Sequence, residues 1–255
     1  MLQLEMTGKV AVVSGGSRGI GAACVRMFAR AGAKVVFSYQ RAADRAAQLV
    51  EELGADSFAV QADLNGNTGG EQRLIAAAVE RFGRVDALVV NHGVWPPHDQ
   101  PIDTMTEAQW RNTMSTNLDS AFLLVKYAVA QMKKQPEGGN VVLIASTAAQ
   151  RGEAYHCDYA ASKGALVSMV KGLSTELASS KIRVNCVAPG WVETEMSAPV
   201  LAQPEVQANI LRVIPLGRVG RPEEIAAPVV FLCTPHAGFI TGEIFNVNGG
   251  AVLVG

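Results

Sequence analysis

Strand-like and helical patterns alternate along nearly the whole chain. Seven apolar runs rich in β-branched residues recur, and most are separated by helical patterns such as Ala42–Leu53 and Gly70–Phe82. The runs are Val10–Ser14, Lys34–Ser38, Ser57–Gln61, Val85–Val90, Asn140–Ser146, Ile182–Val187 and Glu243–Val247. This alternation predicts an α/β fold with a doubly wound, mostly parallel sheet and helices on both faces. Such sheets bind ligands at the carboxyl ends of their strands, so we expect the functional site there.

The bulk properties exclude several classes of protein. A chain of 255 residues suits one α/β domain, which we expect to span 1–255 without a linker. The formal net charge of -1 provides no basic surface for nucleic acid or an anionic membrane. No apolar stretch reaches the roughly 20 residues that a membrane span needs. We therefore expect neither nucleic acid nor membrane as a partner.

The cysteines and the N-terminus indicate the compartment. Cys24, Cys157, Cys186 and Cys233 lie far apart without C-x-x-C pairing, and Met1–Glu5 lacks a basic region followed by an apolar core. These features predict a cytoplasmic protein with reduced thiols. The histidines show no ligand-like spacing, so no metal site is expected.

A glycine-rich turn directly follows the first strand-like run. It reads Ser14-Gly15-Gly16-Ser17-Arg18-Gly19-Ile20-Gly21 and leads into an amphipathic helix. Glycines at 15, 19 and 21 permit a tight turn and a close approach to a pyrophosphate, and the helix N-terminus offers free N–H groups to it. The pattern predicts a dinucleotide site, although these residues alone leave open a glycine-rich turn that binds no nucleotide.

A tyrosine, a lysine and a serine form a second pattern. Tyr159 and Lys163 are four residues apart, and Ser146 ends an apolar run thirteen residues before Tyr159. On a helix, residues at this spacing share a face, so the ammonium of Lys163 is expected to lower the pKa of the Tyr159 phenol from about 10. The trio indicates carbonyl reduction or alcohol oxidation, although Tyr-x-x-x-Lys by itself also occurs by chance.

Together these motifs resemble those of the short-chain dehydrogenase/reductase family. Its Thr-Gly-x-x-x-Gly-x-Gly turn appears here with Ser14 in place of Thr, and its Tyr-x-x-x-Lys appears as Tyr159 and Lys163. The match extends nearly end to end, through Asn117, Ser146, Pro189-Gly190, Ile240-Thr241-Gly242-Glu243 and Asn248-Gly249-Gly250. The run from Pro215-Leu216-Gly217-Arg218 through Pro222-Glu223-Glu224-Ile225, together with Ile240-Thr241-Gly242, most resembles 3-oxoacyl-(acyl-carrier-protein) reductases.

One segment departs from the family pattern. The usual Asn-Asn-Ala-Gly after the fourth strand reads Val90-Asn91-His92-Gly93. We expect the fold to tolerate this change and only the local geometry around the cofactor to differ.

The resemblance implies a Rossmann-type sheet with strand order 3-2-1-4-5-6-7 and hydride transfer between a nicotinamide and a carbonyl or secondary alcohol. It implies that Tyr159 exchanges the proton, that Ser146 polarises the substrate oxygen, and that Lys163 lowers the pKa of Tyr159 and binds the nicotinamide ribose. Asn117 is expected to hold a water that returns the proton through Lys163.

The end of the second strand indicates the cofactor. Tyr39 occupies the place of the aspartate of family members that use NAD, and the cations Arg18 and Arg41 are nearby. Guanidinium groups bind phosphate by charge-assisted hydrogen bonds, so we expect NADP(H), with NAD(H) as the alternative. Ser38 adds a hydroxyl. The alternative that both arginines are solvated surface residues stays open.

The resemblance implies further cofactor contacts along the chain. These are Gly15, Ser17, Gly19, Ile20, Gly21, Asp63, Leu64, Asn91, Gly93, Pro189, Gly190, Val192 and Thr194, besides Tyr159 and Lys163. Asp63 is expected to accept a hydrogen bond from adenine and Thr194 to hold the nicotinamide amide. A turn or capping role for Asp63 stays open.

Three residues are candidates for contact with substrate, namely Glu153, His156 and Trp191. Loop or packing roles explain them equally well. The proline-containing segment 193–221 is either a substrate lid or an ordinary surface excursion.

The sequence therefore predicts an NADPH-dependent oxidoreductase, with 3-oxoacyl thioesters as one candidate substrate. Sugar, steroid or xenobiotic substrates are alternatives, and so is a dinucleotide-binding sensor or scaffold without turnover. Apolar residues beyond the needs of one sheet face occur in the helical stretches Met105–Lys134 and Tyr159–Ser179. In the family these helices pack between subunits, so a homotetramer is expected, with a dimer next.

Overall fold

The computed structural model describes residues 4–253. Its sheet has seven strands, all parallel, in the order β3-β2-β1-β4-β5-β6-β7. The strands are β1 Val10–Val13, β2 Lys34–Tyr39, β3 Ser57–Gln61, β4 Ala87–Val90, β5 Gly139–Ile144, β6 Ile182–Pro189 and β7 Ile244–Val247. The predicted fold class and strand order are confirmed. The order reverses between β1 and β4, which places a crevice at their carboxyl ends.

Ten α-helices connect and flank the strands in the described part of the chain. They are α1 Gly19–Arg30, α2 Ala43–Leu53, α3 Gly70–Phe82, α4 Glu107–Met114, α5 Ser120–Met132, α6 Ala148–Arg151, α7 Cys157–Leu177, α8 Ala198–Leu201, α9 Pro204–Arg212 and α10 Pro222–Cys233. The predicted pattern Gly70–Phe82 matches α3 in full. Ala42–Leu53 begins one residue before α2.

Hydrophobic layers cover both faces of the sheet. On one face Ala11, Val13 and Val35 pack with residues of α1 and α10, and on the other Val12 and Val36 pack with residues of α3, α5 and α7. Successive strand residues point to opposite faces, so a strand buried on both sides needs apolar residues throughout. This requirement explains why the strands appear in the sequence as continuous apolar runs.

The stretch Met105–Lys134 is not one regular helix. A π-helical turn at Ser115–Asp119 lies between α4 and α5, and the amide of Ser120 bonds to the carbonyl of Ser115. A π turn inserts one extra residue and redirects the side chains around it. The bounds of the helical stretch Tyr159–Ser179 also differ from those of the observed helix, because α7 begins at Cys157 and ends at Leu177.

The segment 193–221 contains α8 and α9 and has a small apolar cluster of its own. Ile210, Ile214 and Val219 form this cluster, and Trp191 packs against it. Its role as a lid stays a prediction.

Across residues 4–253, no helix is long and apolar enough to cross a membrane. The N-terminal feature used for the compartment lies partly outside this range, because Met1–Gln3 are not among the described residues.

Candidate active site

A cavity of about 800 Å³ runs along the carboxyl edge of the sheet. The structure brings nearly all predicted site residues to its walls. These are Gly15, Ser17, Arg18, Gly19, Ile20, Ser38, Arg41, Asp63, Leu64, Asn91, Gly93, Ser146, Glu153, Tyr159, Lys163, Pro189, Gly190, Trp191, Val192 and Thr194. Three predicted residues, Gly21, Asn117 and His156, are not part of the lining.

The glycine turn forms one end of the cavity. Gly15 and Gly19 have φ angles of 64° and 53°, which side chains disfavour. A Cβ on Gly21 would collide with the carbonyl of Gly15, so this glycine permits the turn to pack against α1. Because α1 begins at Gly19, its free N–H groups face the cavity and suit a pyrophosphate.

Polar contacts fix the turn to neighbouring strands. The Gly15 amide donates to Ser38 Oγ at 2.9 Å, and Asn91 Nδ2 donates to the carbonyls of Ser14 and Gly15 at 3.1 Å each. The Ser38 hydroxyl thus already supports the turn, besides lining the cavity where a hydroxyl contact was predicted.

His92 joins the glycine turn to α5. Its Nδ1 lies 2.8 Å from Ser14 Oγ and its Nε2 lies 2.5 Å from Ser120 Oγ. Ser120 donates to the Thr116 carbonyl, and Ser14 Oγ accepts the main-chain amides of Asn91 and His92. This pattern assigns a neutral imidazole that donates from Nε2 and accepts at Nδ1. Burial lowers the pKa of His92 to about 3, and the charge of Lys163 adds to the effect.

Ser146, Tyr159 and Lys163 meet in the middle of the cavity. Ser146 lies just beyond β5, whereas Tyr159 and Lys163 share one face of α7. The Lys163 Nζ lies 5.8 Å from the centre of the Tyr159 ring and donates to the Ile144 carbonyl at 2.8 Å. Ser146 hydrogen-bonds the Tyr159 side chain. A substrate oxygen placed at this point would face both hydroxyl groups.

The expected lowering of the Tyr159 pKa is not found. Burial raises the pKa of Tyr159 to about 12, against the opposing hydrogen bond from Ser146, and the charge of Glu153 raises it further. Burial also lowers the pKa of Lys163 to about 8. The physical reason is that desolvation disfavours both charged forms, while the Lys163 ammonium is directed to the Ile144 carbonyl.

Asn117 lies in the π turn and holds the structure beside the cavity. Its Oδ1 accepts from the Val94 amide at 2.8 Å, and its Nδ2 donates to the Val94 carbonyl and to Ser162 Oγ. Both N–H groups of the side-chain amide are therefore engaged, and the contact with a water stays a prediction. Asn117 fixes the β4–α4 loop and α7 relative to each other.

The far end of the cavity combines two cations with Asp63. Arg41 lines the wall, whereas Arg18 Nη1 pairs with Glu195 Oε2 at 2.9 Å. Arg45 also contacts Glu195. The Asp63 carboxylate accepts from Gln40 Nε2 and Asn65 Nδ2, which supports a role in the loop. Glu195 was not predicted, and its position opposite Arg18 has no signal in the sequence.

The segment after β6 covers the middle of the cavity. Thr194 contacts the position where a Cβ of Gly19 would lie, and its amide donates to Ser197 Oγ at 3.1 Å. The segment 189–194 thus lies across the glycine turn. The contact of Thr194 with the nicotinamide amide stays a prediction.

The predicted substrate residues separate into two groups. Glu153 and Trp191 line the cavity, and Glu153 Oε1 accepts from Trp95 Nε1 at 3.2 Å. His156 instead lies behind Trp95, stacked on its ring at 4.8 Å, with Nε2 at 2.9 Å from the Pro96 carbonyl. The prediction that His156 contacts substrate is not supported, because its ring is buried and its nitrogens face carbonyl groups.

Comparisons with known proteins agree with this geometry. A family model described as enoyl-(acyl carrier protein) reductase matches residues 15–252. A 3-oxoacyl-[acyl-carrier-protein] reductase of Synechocystis sp. is 37% identical, over 97% of this chain and 98% of the relative. An L-rhamnose 1-dehydrogenase (NAD(P)(+)) of Azotobacter vinelandii is also 37% identical, over 95% and 96% of the two chains. The solved structure of a short-chain dehydrogenase/reductase, glucose/ribitol dehydrogenase, from Brucella melitensis is 36% identical, with a TM-score of 0.91 and coverage of 99% and 100%.

The chain belongs to the short-chain dehydrogenase/reductase family. This short-chain dehydrogenase/reductase is accordingly an oxidoreductase of a family whose members use NAD(P). Its residues fit such a cofactor, because Gly15 and Gly19 line the cavity without side chains and α1 presents its N-terminus there. Among the described residues, no group of three or more His, Cys, Asp or Glu side chains is arranged to hold a metal ion.

The cavity also has residues that the sequence did not indicate. Asn112 and Thr116 line the wall from α4 and the π turn, one helical turn apart. Their i, i+4 spacing is a signal that they share a face. Two of the three departures from the family pattern, Ser14 and His92, are in direct contact, whereas the third, Val90, is buried in β4.

Proposed function

We propose that this chain is an NADPH-dependent oxidoreductase that interconverts a carbonyl compound and a secondary alcohol. The observation that carries the proposal is the convergence of Ser146, Tyr159 and Lys163 on one cavity that begins at the glycine turn. A sensor or scaffold without turnover has no need for these three groups to meet.

The cofactor supplies the hydride donor or acceptor when bound. In the reducing direction, Ser146 donates a hydrogen bond to the carbonyl oxygen, and Tyr159 gives that oxygen its phenol proton. The ammonium of Lys163, 5.8 Å from the phenol ring, stabilises the negative charge that then develops on Tyr159. Lys163 is also placed to bind the nicotinamide ribose and to pass the replacement proton.

The preference for NADP(H) rests on Arg41 and Arg18. Both line the end of the cavity beyond β2, and Tyr39 in the same wall provides no carboxylate to repel a 2′-phosphate. Arg18 has to exchange Glu195 for the phosphate, whereas Arg41 does not. We therefore assign the main phosphate contact to Arg41.

The substrate class follows from relatives only in outline. Relatives named 3-oxoacyl-[acyl-carrier-protein] reductase make 3-oxoacyl thioesters one candidate, and the L-rhamnose 1-dehydrogenase makes sugars another. The test is oxidation of NADPH at 340 nm with a panel of 3-oxoacyl thioesters, diketones and sugars, run beside NADH. Turnover with NADPH supports the proposal. Tight NADPH binding without turnover of any carbonyl compound contradicts it and favours a sensor.

We also propose a cytoplasmic location and a homotetramer, with a dimer next. Cys24, Cys157, Cys186 and Cys233 are unpaired thiols, which suits a reducing compartment. Phe122 on α5 is half exposed, and an apolar side chain of this size suits a subunit contact. Light scattering that gives the mass of one chain would contradict the oligomer.

A further inference from the structure

The substrate half of the cavity contains a carboxyl group in a defined position. Glu153 follows α6 and lines the wall together with Trp95 and Trp191. Trp95 Nε1 donates to Glu153 Oε1 at 3.2 Å, and Trp95 is itself held by stacking on the buried His156. Among the described residues, this is the one side-chain hydrogen bond that Glu153 receives, so Oε2 is left to accept from a ligand.

The carboxyl group lies within electrostatic reach of the reacting centre. Burial is the main cause that raises the pKa of Tyr159, and the negative charge of Glu153 adds to it. Ser146, Tyr159 and Glu153 also line one cavity, so a substrate whose oxygen meets Ser146 and Tyr159 extends towards the Glu153 carboxyl group.

The chemistry of this contact distinguishes substrate classes. Burial raises the pKa of the Glu153 carboxyl, whereas the hydrogen bond from Trp95 opposes this rise and favours the ionised form. An ionised carboxylate only accepts hydrogen bonds. A 3-oxoacyl thioester presents only acceptor oxygens near its reacting carbonyl, so two acceptors would face each other. A hydroxyl group donates and fits. An ammonium group also donates, but Arg151 lines the same cavity with a like charge.

The aromatic walls suit the same class. Trp95 and Trp191 lie 6.0 Å apart with their rings at 83°, so they form an apolar corner next to the carboxyl group. Asn112 lines the same cavity and offers both a donor and an acceptor. Apolar ring faces beside paired donors and acceptors match a compound with C–H faces and several hydroxyl groups.

We propose that Glu153 determines specificity by accepting a hydrogen bond from a hydroxyl group next to the reacting carbon, so that the substrates are neutral polyhydroxy compounds such as sugars and polyols. This inference rests on the proposed function, because it assigns the substrate class of that same site. It places 3-oxoacyl thioesters among poor substrates.

The test compares three alcohols that differ only in the substituent next to the reacting carbon. Oxidation of cyclohexane-1,2-diol, cyclohexanol and 2-aminocyclohexanol by NADP is followed at 340 nm for the wild type, Glu153→Leu and Glu153→Gln. Glu80→Gln, at an exposed position on α3, is the matched control. The wild type is expected to favour the diol over cyclohexanol by about 10-fold or more in kcat/KM, since hydrogen bonds to charged groups are the stronger ones. In Glu153→Leu this ratio falls towards 1, whereas Glu80→Gln keeps the wild-type ratio.

Glu153→Gln provides a reciprocal test. Its amide oxygen takes over the bond from Trp95, so its NH₂ group faces the substrate and replaces an acceptor with a donor. Reduction of acetoacetyl-N-acetylcysteamine should then improve relative to the wild type, whereas the diol becomes poorer.

Several outcomes overturn the inference while the proposed function stands. They are turnover of both alcohols at equal efficiency by the wild type, an unchanged ratio in Glu153→Leu, and preference for the amino alcohol over the diol. If no probe is turned over, the proposed function fails. Tryptophan fluorescence of the NADP complex then tests whether Glu153 contacts the diol. Quenching by the diol that is lost in Glu153→Leu supports the contact, whereas equal or absent quenching contradicts it.

Discussion

The buried His92 should make the protein less stable as the pH falls below neutrality. Its neutral ring accepts from Ser14 and donates to Ser120, and burial lowers its pKa to about 3 from an ordinary value of 6.5. A charged ring would have two donors, and the hydroxyl proton of Ser14 would have to turn from Nδ1 at 2.8 Å to the Val89 carbonyl at 3.4 Å. His92 therefore binds a proton less strongly in the folded protein than in the unfolded chain.

The sign and size follow from proton linkage. Between pH 6.5 and 3, the unfolded chain binds one more proton at His92 than the folded protein, so the free energy of unfolding rises with pH. The slope approaches about 1.4 kcal/mol per pH unit. The contribution of His92 to the free energy of unfolding is complete above pH 6.5. At pH 5 it is smaller by about 2 kcal/mol.

The assay is urea-induced unfolding at pH 7.5, 6.5, 5.5 and 5.0, at one protein concentration. His92→Ala loses two hydrogen bonds and the packing of the ring, which costs about 3 kcal/mol at pH 7.5. The difference in the free energy of unfolding between His92→Ala and the wild type should be about 2 kcal/mol smaller near pH 5. His98→Ala, at an exposed position, is the control and should follow the wild type. Parallel pH profiles of the wild type and His92→Ala would refute the reasoning.

Two further variants test the cofactor end of the cavity. Arg41→Ala should lower kcat/KM for NADPH by about 10-fold to 100-fold and leave that for NADH unchanged, because one charge-assisted phosphate contact is lost; equal losses with both cofactors would contradict the assignment. Gly21→Ala should weaken NADPH binding at least about tenfold and destabilise the fold by about 1–3 kcal/mol, because its Cβ meets the Gly15 carbonyl and Asn91 Nδ2. Fluorescence titration and thermal unfolding check this, with Gly172→Ala, where a Cβ meets nothing within 4 Å, as the control.

The fold was predictable because the central strands of the sheet, such as β1 and β4, are covered on both faces. The apolar runs gave all seven strands, but their ends shift by one or two residues. Val85 shows the reason, since it is fully buried yet lies outside β4, with its amide bonded to the side chain of Gln135. Hydrophobicity predicts burial, whereas strand pairing depends on where the main-chain bonds go.

The π turn between α4 and α5 was not predictable from periodicity. One inserted residue changes the helical phase by less than the scatter of an apolar pattern, and polar Ser115 and Asn117 occur in ordinary helices too. The turn is fixed by tertiary contacts of Asn117 with Val94 and Ser162.

The site was predictable where its residues are close in sequence. The glycine turn and the pair Tyr159 and Lys163 belong to this class. The contacts of His92 with Ser14 and Ser120 join three separate elements, so no local pattern contains them. The raised pKa of Tyr159 was missed for a related reason, because spacing gives the distance between two groups but not their desolvation.

The most direct test of the account is the chemical step in Tyr159→Phe. Single-turnover oxidation of NADPH with an accepted carbonyl substrate should slow by about 10²–10⁴-fold, because the proton donor is lost. NADPH affinity should change less than about threefold, since Lys163 and the glycine turn are intact, and Tyr155→Phe, at an exposed position, should match the wild type. A Tyr159→Phe enzyme that oxidises NADPH within about tenfold of the wild-type rate would contradict the central claim that this phenol exchanges the proton.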